Sequence, residues 1–414
     1  MHRPWFQLGA SLVAMIMIAN LQYAWTLFVV PLRNEHGWQL SDIQWAFTLF
    51  VLFQTWVQPL DGWLIDRLGP RRFITVAGVL SGVGWAALAY ASSVPQLYVF
   101  YATAGIGAAL VYSGCIGSAL KWFSDRRGLA SGIIAAGFGG GTALFVPIIR
   151  YLIDNYGYRE AFLWTGILQG LVIVVVAQFL RHPTGGVAPA PAVAAARQSK
   201  NRRNTDHFTT GQMLRTPHFY FLYVMFVMMS TGGLLVTAQA GPMAQSFGLP
   251  LAALTVALTL SPIANGTSRI FWGWVSDQIG REQTMALAFF LNAACLFLVL
   301  TLGRTSGVWF TVTLALTFFT WGEIFSLFPS TCADWFGSRH ATSNYAFLYT
   351  AKGVASILAG GVAAVLYQQF GSWSAAFYGS AALALLAGMM AVGLRFAPLP
   401  AATARTSVTA APAR

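Results

Sequence analysis

Three ionisable side chains, Arg269, Glu323 and Lys352, stand inside long apolar runs of a 414-residue chain. A charge at membrane depth costs at least ~2.5–3.5 kcal/mol even on insertion scales, so each needs a partner, a wet cavity or a route to the interface. Helical rise puts Lys352 roughly 15 Å into its run. Counting from the ends of their own runs puts Arg269 and Glu323 in a similar layer. Two cations at one depth are a receptacle for a small anion. A carboxyl at that depth either neutralises one cation or carries a proton: ionised it leaves one net positive charge, suited to a monocarboxylate, and protonated it leaves two, suited to a dianion or to a monoanion entering with a proton. The plainer readings are that Arg269 or Lys352 snorkels to the interface along its aliphatic stem and that Glu323 is only a structural counter-charge.

The neighbours of these residues favour a cavity. Tyr345, Tyr349, Lys352 and Ser356 recur at three- and four-residue spacing and so share one helix face. Asn265 lies one turn from Arg269, and Gln44, Thr48, Thr55 and Gln58 form a polar stripe on another run. Asn20, Gln22, Tyr23, Tyr112 and Trp321 offer amide, hydroxyl or ring edges. A lone aromatic is ordinary packing, whereas amphipathic rings around two cations fit a small planar anion.

The elements that position these groups are membrane helices. Hydrophobic residues make up 57% of the chain and charged ones 9%, against about 25% charged in a soluble domain. Twelve apolar runs, from Trp5–Val30 to Trp373–Ala397, are long enough to span a bilayer as helices, and their continuity without alternation excludes a β-barrel. The fold class expected is an all-α membrane protein. Met1-His-Arg-Pro-Trp5 resembles the start of a signal peptide, but the run that follows is too long and lacks a cleavage site, so it reads as the first span. The net charge of +12 is a topology signal and no sign of nucleic acid. With both termini cytoplasmic, 18 Lys and Arg fall inside and four outside, the positive-inside bias of a multi-pass cell-membrane protein. Cys115, Cys295 and Cys332 are scattered and read as small apolar fillers.

The chain divides into a six-helix bundle over residues 1–180, a flexible basic linker over 181–214, a second bundle over 215–397 and a disordered tail over 398–414. Gly62-Trp-Leu-Ile-Asp66-Arg-Leu-Gly69-Pro-Arg71-Arg72 matches Gly273-Trp-Val-Ser-Asp277-Gln-Ile-Gly280-Arg281. Lys121-Trp-Phe-Ser-Asp-Arg126 matches Asp334-Trp-Phe-Gly-Ser-Arg339 at nearly the same offset, so six spans are duplicated. Gly105 and Gly107, and Gly128, Gly132, Gly137 and Gly141, are read as close helix contacts. On these motifs the sequence resembles the major facilitator superfamily, whose loop signature stands at Gly62–Arg72. The resemblance implies two bundles rocking about a central site, with Asp66, Arg71, Arg72, Asp277, Arg281, Arg126 and Arg339 latching the cytoplasmic side.

Within that superfamily the chain is similar to the oxalate/formate antiporter family and to monocarboxylate transporters. Gln22-Tyr-Ala-Trp-Thr26, Met213-Leu-Arg-Thr-Pro217, Asn265-x-x-x-Arg269, Phe319-Thr-Trp321-Gly, Leu327-Phe-Pro-Ser-Thr331 and Ala351-Lys352 carry the likeness. It implies that Arg269 and Lys352 are the paired substrate cations and that Tyr23, Tyr112 and Trp321, with Phe325 and Tyr349, form an aromatic cage. The chain departs from the oxalate carriers at Glu323, where they have a small residue, and at Phe325, where they have tyrosine. The expected function is secondary transport of mono- or dicarboxylates by a monomer, as proton symport or as anion exchange. Exchange of oxalate and formate without proton coupling and a non-transporting anion sensor are the alternatives, and a drug or sugar carrier is a nearer rival. No Gly-Lys pair exists to form a phosphate loop. The histidines lie in or near loops without metal or triad spacing, so no enzyme, cofactor or metal is expected.

Overall fold

The computed structural model describes residues 4–123, 127–181, 202, 204, 206–337 and 339–401, with only the backbone for 62, 63, 66, 120, 121, 127–129 and 131. Every regular element among them is helical, because a bilayer leaves a lone segment no other way to satisfy its own backbone. Among the described residues, eleven helical segments are long and apolar enough to cross a membrane. The second span, Leu40–Trp56, is 17 residues long and continues past a break at Val57.

Hydropathy located the spans but not their interruptions. The expected run Trp5–Val30 is two helices, Pro4–Tyr23 and Thr26–His36, broken where Trp25 stacks on Tyr101 at 4.2 Å. The tenth span is Gly307–Trp321 and Ile324–Phe336, its hydrogen-bond ladder interrupted at Gly322-Glu323 while the backbone there keeps helical dihedrals. The eleventh is Ala341–Ile357 and Ala363–Phe370, joined by a π-helical turn at Leu358–Val362. Other helices outrun their apolar stretch: the seventh extends to Ser246 and the eighth to Ile279.

The duplication is written into the backbone. Gly37 and Gly248, and Gly69 and Gly280, are each separated by 211 residues, and all four have positive φ (67°, 66°, 71° and 102°). Only glycine takes that conformation without strain, so the same reversal is built at the same place in both halves. The expected small-residue contacts are mostly present. A Cβ at Gly105 would lie 2.5 Å from Phe50 O, at Gly107 2.3 Å from Ser81 N, and at Gly137 2.4 Å from Leu12. Gly132 differs: it faces open space, and Gly128 lies outside the described side chains.

The linker's later residues are docked. Asn204 N–H and Phe208 N–H donate to Asp334 O and Phe336 O, and Asn344 donates to Phe208 O. Arg202 donates to the carbonyls of Leu394, Arg395 and Ala397, capping the last helix. The expected flexible stretch from 182 to 201 and the tail from 402 lie outside the described residues. This end of the molecule is called the linker end below, and the opposite one the far end.

Candidate functional site

Arg269 and Lys352 meet at one aromatic ring. The guanidinium carbon lies 4.4 Å and the Lys352 Nζ 5.7 Å from the centre of Phe325, so the two charges cannot be farther apart than those distances laid end to end. Both are buried, Arg269 at 6% exposure and Lys352 at 0%, which removes the snorkelling reading. Among the described residues neither has a carboxylate partner.

Each cation is held by neutral groups from both halves of the chain. Arg269 Nε and Nη2 donate to Asn265 Oδ1 at 3.2 and 3.0 Å, and Nη1 donates to Ala135 O at 2.8 Å. The guanidinium reaches that carbonyl past Gly139, where a Cβ would sit 3.2 Å from it. Lys352 Nζ donates to Gln22 Oε1 at 2.8 Å, Gln54 Oε1 at 3.0 Å and the Tyr349 hydroxyl at 3.3 Å. Both charges of the second bundle therefore bridge to the first.

Around them the rings close on themselves. Tyr23 packs on Phe138 (centroids 5.6 Å apart), Phe138 on Tyr112 (5.4 Å), Tyr112 on Tyr349 (5.9 Å) and Tyr349 on Phe325 (6.3 Å). Phe325 packs on Trp321 (5.2 Å), Trp321 on Phe318 (5.8 Å) and Phe318 back on Tyr23 (6.2 Å). The ring faces are electron-rich and favour cations: Lys352 Nζ lies 5.7 Å from Phe138 and 5.4 Å from Tyr349. Tyr23 and Trp321 end their helices at the breaks in the first and tenth spans. Such discontinuities are where transporters place binding groups.

Buried polar atoms in this cage without a protein partner are Gln22 Nε2, Gln54 Nε2, Asn265 Nδ2, Trp321 Nε1 and the Tyr23 hydroxyl. The Tyr23 hydroxyl faces Arg269. All five can donate. With two cations they make a lining rich in unused donors, the complement of a carboxylate.

Arg269, Lys352, Tyr23, Tyr112, Asn265, Trp321, Tyr349 and Phe325 are thus brought together. Phe138, Phe318 and Gln54 join them and were missed. Phe138, flanked by Gly137 and Gly139, is a lone large ring in a small-residue helix, which is the signal that could have found it. Glu323 is not brought in. Trp321 and Phe325, four apart, face the cage, so Glu323, two residues from each, lies about 200° around the helix from both. Its carboxyl is fully buried and both oxygens lack a partner.

Of the expected latch residues, Arg71 donates to Gln178 (2.7 Å) inside the first bundle, and Arg281 pairs with Asp277 (3.0 Å) and Asp334 (3.2 Å) inside the second. Arg72 and Arg339 are exposed. Arg126 and the side chain of Asp66 lie outside the described residues. The bundles also join at the far end. There Gln44 donates to Ala238 O and Gln239 Oε1, and Gly241 N–H donates to Thr26. Two cavities lie away from the cage, about 370 Å³ at the linker end beside Glu282 and Arg395 and about 360 Å³ at the far end beside Arg150.

The sequence model of the Major Facilitator Superfamily matches residues 10–238 and 220–414. The chain is 38% identical over 387 residues to the oxalate:formate antiporter of Oxalobacter formigenes, covering 94% of this chain and 90% of that one. It is 27% identical over 240 residues to human monocarboxylate transporter 11, covering 58% and 49% of the two chains. The fold is similar to that of a crystallised peptide transporter, with a TM-score of 0.70 at 15% identity over 95% of this chain and 94% of that one.

Proposed function

The chain belongs to the major facilitator superfamily, and from that premise we propose that it is a secondary transporter carrying small carboxylate anions, bound between Arg269 and Lys352. The observation that carries this reading is the pair of buried cations on one Phe325 ring without a carboxylate partner among the described residues. The similarity to an oxalate:formate antiporter and to a monocarboxylate transporter supports the substrate class. The positive-inside bias makes the linker end cytoplasmic, with both termini on that side. The site is complete within one chain, so the monomer is the transporting unit.

Anion exchange is the favoured mode. Glu323 lies outside the cage, so nothing described there offsets two positive charges when no anion is bound, and carrying them uncompensated through a rearrangement is costly. A bound dicarboxylate neutralises both charges and a monocarboxylate one of them, and either takes up the N–H groups that now grip Ala135, Gln22 and Gln54. Loading would thereby loosen one bundle from the other, the step that alternating access needs. The latch residues then close the cytoplasmic end when the far end opens. Proton symport is a second reading, favoured by the buried Glu323 carboxyl with two unpartnered oxygens.

Counterflow of labelled formate, lactate, acetate and oxalate into proteoliposomes, with and without a pH gradient, tests both. Exchange predicts uptake that depends on internal anion and not on the gradient. Uptake driven by an inward proton gradient would replace exchange with symport. Anion binding without flux would leave a sensor, and competition by sugars or drugs alone would remove the carboxylate.

A further inference from the structure

One hydroxyl from the first bundle is inserted into a helix of the second. Thr48, in the second span, donates to Ser356 O at 2.9 Å and accepts from Gly361 N–H at 3.2 Å. Those two backbone groups are five residues apart in the eleventh span, the pair that a π-helical i→i+5 bond would join. Thr48 Oγ1 stands between them, beside the π-helical turn Leu358–Val362. Insertion of a side chain into a helical ladder is a recognised cause of such local distortion.

The approach is possible because the turn has no side chains in the way. A Cβ at Gly360 would lie 2.4 Å from Thr48 Oγ1, and one at Gly361 2.3 Å from the Trp45 ring. The contact is tied reciprocally, since Ser356 Oγ donates to Thr48 O at 3.2 Å. Next to it Gln239 donates to Ala359 O and Gly360 O, and Gln44 donates to Gln239. No charged side chain takes part in these bonds.

We propose that Thr48 is the positioning residue of the far-end gate, holding it shut by exchanging its hydroxyl for a backbone hydrogen bond of the eleventh helix. With the gate closed, Ser356 O and Gly361 N–H are satisfied by Thr48. With it open the two groups bond to each other, Gly361 N–H donating to Ser356 O in the π-helical manner. Neither state leaves a buried backbone group orphaned, so the gate moves without the penalty that would otherwise freeze it. Lys352 sits one turn from Ser356 on the same helix, so a change in the turn is transmitted to the anion site. This rests on the alternating-access reading above.

Spin labels at Gln39 and Phe370, both exposed at the far end, report the gate directly by pulsed dipolar spectroscopy. Thr48→Val keeps the shape but loses the hydroxyl, leaving two backbone groups unpaired only in the closed state. It should raise the open-to-closed ratio about tenfold, seen as a longer-distance population, and Thr48→Ser should restore the wild-type distribution. An unchanged distribution in Thr48→Val, or equal defects in Thr48→Val and Thr48→Ser, overturns the proposal. If the wild type takes a single distance with and without anion, it is alternating access that fails.

Discussion

Replacing Lys352 by methionine separates a functional cation from a structural one. If Lys352 neutralised a buried carboxylate, its removal would orphan that charge and cost about 3–5 kcal/mol. Here its three partners are the amide oxygens of Gln22 and Gln54 and the Tyr349 hydroxyl, all neutral. Loss of the ammonium leaves two buried amide acceptors unsatisfied, at about 1–3 kcal/mol each. Against this, it removes a charge whose placement at membrane depth costs at least ~2.5–3.5 kcal/mol. The terms nearly cancel, and methionine fills similar volume. The unliganded Lys352→Met protein should therefore melt within a few degrees of wild type in detergent. Counterflow of every carboxylate should nevertheless fall at least ~100-fold, because one of the two charges facing the anion is gone. A large drop in melting temperature with counterflow retained would refute the reasoning, since it would make Lys352 a structural charge.

Three further outcomes follow from the same geometry. Arg269→Lys keeps the charge but cannot reach Asn265 and Ala135 O together, so counterflow should fall at least ~10-fold with folding intact by size-exclusion chromatography. Gly233→Ala places a methyl group 1.9 Å from the Trp321 ring; the indole must leave the cage, which should weaken anion binding by about tenfold or more in a titration of intrinsic fluorescence. Glu323→Gln, on the far side of the tenth helix, should leave anion affinity and counterflow within about twofold of wild type. Loss of gradient-driven uptake in that variant would instead assign proton coupling to Glu323.

Much of this arrangement was legible in the amino-acid order. Arg269 and Lys352 stood out because charge in an apolar run is costly, and the matched loops around Asp66 and Asp277 exposed the duplication. Depth along the helix puts Glu323 level with the two cations, whereas its angle around the helix turns it from the face that Trp321 and Phe325 present. The same two-residue offset from Trp321 and Phe325 that hides it from the cage could have been counted from the sequence. The breaks at Trp25, Gly322 and Leu358–Val362 were beyond reach: hydropathy is insensitive to a turn of a few apolar residues, and what opens the last of them is Thr48, more than three hundred residues away. Gln54 was passed over because the stripe of Gln44, Thr48, Thr55 and Gln58 drew attention to a neighbouring face. Its role depends on Lys352 arriving from the other bundle, which no local pattern encodes.

Magnetic-resonance dephasing between a ¹³C-carboxylate anion and ¹⁵N-labelled lysine and arginine side chains tests the central claim most directly. With oxalate or formate bound, the carboxyl carbon should lie within about 4 Å of both the Lys352 ammonium and the Arg269 guanidinium, the reach of a charge-assisted hydrogen bond, and both contacts should vanish in Lys352→Met. A bound anion that dephases against neither nitrogen, or whose contacts survive the loss of Lys352, would contradict an anion site shared by the two cations.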